Sequence, residues 1–90
     1  MLEIVLANAF RKDLKRAKKR GLNLDHLTRV LHILAAEEKL PAKYRDHALT
    51  GDYGGFRECH IEPDWLLVYR IDADVLSLFL FRTGTHADLF

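Results

Sequence analysis

Three histidines, His47, His60 and His86, punctuate the second half of the chain together with Asp64, Arg82 and two aromatic residues, Trp65 and Phe90. An unperturbed imidazole changes charge near neutral pH, and a guanidinium is a permanent, forked cation suited to phosphate. Residue types of this kind point to phosphate-ester chemistry. Cleavage of RNA by its own 2′-hydroxyl needs a base on that hydroxyl, a cation or donors on the crowded phosphorane, and an acid for the departing 5′-oxygen. His47, His60 and His86 suit the proton transfers, Asp64 suits a base or a partner that orients a histidine, and Arg82 suits the non-bridging oxygens. Trp65 and Phe90 can position a base by stacking, worth ~1–3 kcal/mol per base in single-strand binders.

Each residue has an ordinary role to set beside this. A histidine on a strand can be structural, Asp64 after Pro63 suits a turn, and Trp65 opening an apolar strand suits the core. Arg82 at the end of an apolar strand needs a partner or solvent, because an unpaired buried guanidinium is costly. His86 and Phe90 are four apart, so a single helical turn brings them together, and Phe90 could instead close the core. His26 and His32 have no ligand-spaced partner and read as surface residues. A metal centre competes through His60-x3-Asp64 and His86-x-Asp88, but no helical His pair or Cys cluster fixes a geometry, so no metal or cofactor is expected. The lone Cys59 excludes an intrachain disulfide and reads as a small buried hydrophobe.

The elements that must hold these residues are legible in pattern. Leu2–Leu6 reads as a short strand, with Asn8 placed to cap a helix running to about Arg20. Phe10, Leu14 and Ala17 form its apolar face, and Gly21 ends it. Asn23 caps a second helix through Leu24, Leu27, Val30, Leu31 and Leu34, ending around Glu37 to Lys39, with Leu22 and Leu27 as a hydrophobic staple. The short loop between them predicts an antiparallel hairpin. Tyr44–Leu49 reads as extended and Gly51–Gly55 as a turn. A strand follows that turn, not a helix, which excludes a phosphate cradle. Strands are then expected at 56–61, 65–71 and 75–82, joined by turns into an antiparallel meander. Strand parity puts Glu58 and His60 on one face, Cys59 and Ile61 on the other, and Leu76, Leu78, Leu80 and Arg82 on a common face. The order β-α-α-β-β-β-β predicts an α+β fold, a helix hairpin on a twisted, mainly antiparallel sheet.

Ninety residues, 49% of them hydrophobic, suffice for one domain with a modest core. No apolar run reaches the roughly 20 residues of a membrane span, and no signal peptide is evident, so a soluble cytoplasmic protein is expected. The net charge of +1 conceals an asymmetry: residues 1–45 carry 11 Lys+Arg against 5 Asp+Glu, residues 46–90 carry 3 against 8. The first helix is the basic part, and its Lys15, Arg16 and Lys19 form a surface for RNA or an acidic partner, or simply a solvated face.

The runs Tyr44-Arg45-Asp46-His47-Ala48-Leu49-Thr50-Gly51, Cys59-His60-Ile61-Glu62-Pro63-Asp64-Trp65 and Arg82-Thr83-Gly84-Thr85-His86-Ala87-Asp88-Leu89-Phe90 resemble the YafQ branch of RelE/ParE-type bacterial toxins across essentially the whole chain. The resemblance implies a microbial-RNase-like fold and a toxin that enters the ribosomal A site and cuts translating mRNA. It also implies a cognate antitoxin that blocks the site, in a complex that represses its own operon. The family's active-site positions fall on His47, His60, Asp64, His86 and Phe90, with Trp65 and Arg82 in support. The roles implied are His86 as acid, Asp64 or His60 as base, Arg82 and His47 on the phosphate, and Phe90 positioning a ring. The alternative is a binding toxin without catalysis, like gyrase-directed relatives.

Overall fold

The computed structural model describes residues 1–90. Strand β1 (Glu3–Leu6) leads into helices α1 (Asn8–Lys19) and α2 (Leu24–Ala35), then β2 (His47–Ala48), β3 (Arg57–Glu62), β4 (Trp65–Asp72), β5 (Ser77–Gly84) and the single turn α3 (His86–Leu89). The sheet order is β1-β5-β4-β3-β2, with only β1–β5 parallel. The β-α-α-β-β-β-β order and the mainly antiparallel sheet stand as expected.

The helix ends follow local chemistry. Asn23 Oδ1 accepts the Asp25 N–H at 3.0 Å, capping α2 as expected. Gly21 sits at φ 74°, the left-handed conformation that ends α1 without a Cβ penalty. Asn8, by contrast, is already helical: Ala7 occupies the cap position without a side-chain bond, its N–H donating to the Leu80 carbonyl of β5. Tertiary pairing there replaces a local cap. α2 stops at Ala35, short of Glu37–Lys39, because Glu37 turns left-handed at φ 61°. Ala42–Tyr44 forms a 3₁₀ turn, which shortens the expected 44–49 strand to His47–Ala48.

The main core lies between the helices and one sheet face, where Phe10, Ala17, Leu27, Val30 and Leu34 meet Cys59, Ile61, Trp65, Leu67, Tyr69, Leu78 and Leu80. The opposite face carries a smaller cluster of Leu66, Val68 and Leu89, flanked by Leu49, Phe56 and Phe81. Parity in β5 fails at a bulge. Leu80 stands opposite Tyr69 while Arg82 stands opposite Val68, adjacent residues of opposite facing, so Arg82 leaves the face of Leu78 and Leu80. Leu76 precedes the strand and is exposed at φ 50°.

Candidate active site

Cross-strand partners point to the same face of a sheet. His47 pairs with Glu58, Glu58 with Val68, and His60 with Leu66, so His47, Glu58 and His60 stand on the face away from α1 and α2. His47 Nδ1 donates to the Arg45 carbonyl at 2.8 Å, and His60 Nδ1 to the Pro63 carbonyl at 3.3 Å. A carbonyl only accepts, which leaves each Nε2 for chemistry. Both Nε2 atoms lie 3.7 Å from Oε1 of Glu58, whose side chain is only 7% exposed. Arg45 presents its carbonyl from a left-handed backbone, φ 50°, at the exit of the 3₁₀ turn.

His86 arrives from the other end of the chain. Thr85 Oγ1 accepts the Asp88 N–H at 3.1 Å while Asp88 Oδ2 accepts the Thr85 N–H at 2.9 Å, a capping box that closes α3. Arg20 forks onto Asp88 at 2.6 and 3.2 Å, tying α3 to α1 and holding the carboxyl well below its usual range. Gly84 permits the approach: a Cβ there would lie 2.9 Å from the Asp88 Cβ. With α3 so fixed, the Asp64 carboxylate accepts the His86 backbone N–H at 3.1 Å and faces Nδ1 at 2.9 Å. Those two bonds, the backbone one first, stabilise the carboxylate and lower the pKa of Asp64. The His86 ring then faces His60 across 5.7 Å at 60°. Phe90 follows, its N–H on the His86 carbonyl and its exposed ring edge-on to Tyr53 at 5.3 Å. Leu89, not Phe90, closes the small core.

Other expected members sit elsewhere. Trp65 is buried in the helix-side core, with Nε1 donating to Thr83 Oγ1 at 2.8 Å, so its ring is closed to stacking on a substrate. Arg82 is clamped by Asp13, Nε to Oδ2 at 2.6 Å and Nη2 to Oδ1 at 3.1 Å, which raises its already high pKa and leaves three of its five N–H donors, both on Nη1 and one on Nη2, uncommitted. Arg16 also serves structure, bonding Asp13 at 3.0 Å and lying 3.7 Å from Asp88. Lys15 and Lys19 remain exposed on α1, in no ion pair with the site residues. Neither metal pairing anticipated by spacing forms, since Asp64 bonds His86 and Asp88 bonds Arg20. Glu58, His60 and His86 instead bring one ligand atom each to within 4.8 Å of one another.

The family model for the bacterial toxin YafQ of type II toxin-antitoxin systems matches residues 2–90. The chain belongs to the YafQ toxin family. It is 39% identical over 89 residues to the mRNA interferase toxin YafQ of Escherichia coli K12, covering 98% of this chain and 95% of that one. Among solved structures, a metal-bound toxin from Helicobacter pylori superposes with a TM-score of 0.94 at 48% identity, covering all of both chains. YafQ in the E. coli DinJ–YafQ complex superposes at 0.91 with 38% identity, covering 100% and 99%.

Within this YafQ-type site, three residues escaped the reading of the sequence. Glu58 was placed on the face of His60 but given no role, although an acid two residues from a histidine on one strand is a usable signal. Asp13 lies three residues after Phe10 on the inward face of α1, an acid where a core residue belongs, and it also accepts the Thr83 N–H at 3.1 Å. Tyr53, under Phe90, carried no signal beyond its place in a glycine-rich turn.

Proposed function

We propose that the protein is a ribosome-dependent endoribonuclease that cuts translating mRNA by acid–base catalysis. The observation that carries this is the facing pair of imidazoles, His60 and His86, each with Nδ1 engaged by a fixed acceptor and Nε2 left to move a proton. His60, with Glu58 and His47 beside it, takes the proton of the 2′-hydroxyl. His86, oriented by Asp64, gives a proton to the leaving 5′-oxygen. His47 and the remaining N–H donors of Arg82 stabilise charge on the phosphorane, a contribution that fixed donors make efficiently. Phe90 on Tyr53 offers an exposed ring for a base. Side-chain exposures of 56% for His86 and 66% for Asp64 put the acid and its orienting carboxylate on an open surface, while His60 keeps 15% of its side chain exposed. Such a surface suits an enzyme whose substrate is held by the ribosome. A cognate antitoxin blocks this site and carries the operator-DNA contact; that the E. coli relative forms a complex with DinJ supports the existence of such a partner. The setting is the cytoplasm, where mRNA is translated, and no helix is long and apolar enough to cross a membrane.

Primer extension on an mRNA translated in a purified bacterial system tests the proposal. In-frame cuts that need both ribosomes and His86 are expected, with none from His86→Ala protein. Intact mRNA despite growth arrest by the wild type would replace it with a non-catalytic toxin and direct the search to gyrase.

The Glu58–His60–His86 trio favours one second reading, occupancy by a late transition metal, which two imidazoles and a carboxylate suit. Binding there engages the same imidazoles that would move protons, so copper or zinc should slow cleavage and a chelator should restore it. Cleavage that required added metal would overturn the acid–base scheme.

A further inference from the structure

Five of the eight arginines are spent inside the protein: Arg16 and Arg82 on Asp13, Arg20 on Asp88, Arg57 on Asp46 and Arg70 on Asp72. Two of the remaining three, Arg29 and Arg45, converge with Lys43 on one cleft of about 410 Å³, between α2, the Ala42–Tyr44 turn and the end of β3. Unpaired cations repel one another, so grouping them without carboxylates costs stability unless an anion joins them. The one acid on the wall, Glu62, faces His26 at 3.1 Å. Lys43 is further held over the Tyr44 ring at 5.1 Å.

The cleft also shares its wall with the site. His60 lines both. Arg45, which lines the cleft, supplies the carbonyl that holds His47, and Pro63, on the same wall, supplies the one that holds His60. His60 is thus common to the His60–His86 pair and to the cleft that Arg45, Lys43 and Arg29 also line. On α1, Arg16 and Arg20 are bound to Asp13 and Asp88, and none of that helix's residues lines the cleft.

We propose that this cleft is the track for the mRNA strand beside the cleaved bond, its phosphates held by Arg29, Lys43 and Arg45. The inference rests on the nuclease reading above and names where the substrate runs. Cations at these positions give affinity and register without reading base sequence.

The test uses 70S ribosomes carrying a P-site tRNA on two messages, one ending at the P-site codon and one extending through the A site with 2′-O-methyl sugars that prevent cleavage. Arg29→Glu/Lys43→Glu protein is compared with wild type, and Arg45 is left alone because its backbone positions His47. Thermal melting checks that the variant is folded. On the extended message the variant should bind about 10-fold or more weakly, with the salt slope reduced by roughly 0.7 per lost phosphate contact. On the truncated message the two proteins should bind alike, and Arg29→Lys/Lys43→Arg should restore full affinity.

Equal losses on both messages would overturn the proposal and assign the cleft to ribosomal RNA. No loss on either would overturn it too, and a loss confined to antitoxin binding would assign the cleft to an acidic protein segment. Unmodified mRNA left uncut by wild-type protein would sink the nuclease reading by itself, while the two binding measurements would still decide what occupies the cleft.

Discussion

The two faces of the sheet are built on different principles. The helix face buries a contiguous cluster of 16 residues, from Leu2 through Leu80, with Trp65 and Tyr69 satisfied by Thr83 and Asp46. The other face buries an apolar cluster of three residues, and its histidines are held by single side-chain hydrogen bonds and by a four-residue helix. Stability resides on the first face, and the proposed chemistry belongs to the second. Side chains that meet substrate cannot be fixed by full burial, and the proposed acid His86 is more than half exposed while the proposed base His60 keeps 15% of its side chain open. Polar anchors do that work instead: carbonyls under His47 and His60, Asp64 under His86, and Asp13 and Asp88 joining β5 and α3 to α1. The acceptors are placed by backbone geometry, which is itself fixed by the core behind it.

Substitutions on the two faces should therefore separate activity from stability. The largest expected effect is His86→Ala, which should slow mRNA cleavage by about 10²–10⁴-fold, the usual contribution of a general acid. Its unfolding free energy from urea titration should stay within about 0.5 kcal/mol of wild type, as for other exposed sites. A comparable loss of stability would mean that His86 also holds the fold. Phe10→Ala is the converse case, expected to cost about 3–5 kcal/mol by denaturant unfolding, because its 1% exposed ring leaves a cavity. Whatever fraction stays folded should retain the wild-type cleavage rate per molecule.

Asp88→Asn lies between the faces. Loss of one half of the capping box and of the Arg20 fork should cost about 1–2 kcal/mol. It should also slow cleavage, since α3 carries His86. Because the folded carboxyl titrates below its unfolded value, its stabilisation is complete above the unfolded carboxylate pKa of about 4 and is lost as pH falls through the folded value. Melting curves of wild type and Asp88→Asn should thus differ by a constant amount near neutrality and converge in strong acid. A gap that widened on acidification would mean that Asp88 is not the charged anchor.

The smallest effect on the fold is expected from Lys15→Glu/Lys19→Glu, within about 0.5 kcal/mol by thermal melting, since both side chains are exposed. If α1 contacts ribosomal RNA, the same change should weaken ribosome binding at low salt and matter less as salt rises. Unchanged binding at low salt would leave the basic face of α1 as a solvated surface.

The sequence by itself determined the element order, the helix hairpin, the burial of Cys59, the shared face of Glu58 and His60, and the turn that carries Phe90 past His86. These follow from periodicity, caps and glycine positions, which act over a few residues and are written locally. Only the tertiary structure decided the partners of the charges. Asp13 meets Arg82 across 69 residues, Arg20 meets Asp88 across 68, and His86 meets Asp64 across 22. No local rule selects among so many possible pairings. The bulge between Leu80 and Arg82 likewise turned Arg82 off the helix-facing side of β5, because register depends on how two strands fit and not on either strand alone. Trp65 went to the core for the same reason, its parity with Leu67 and Tyr69 having meaning only once the sheet chose which face the helices would cover.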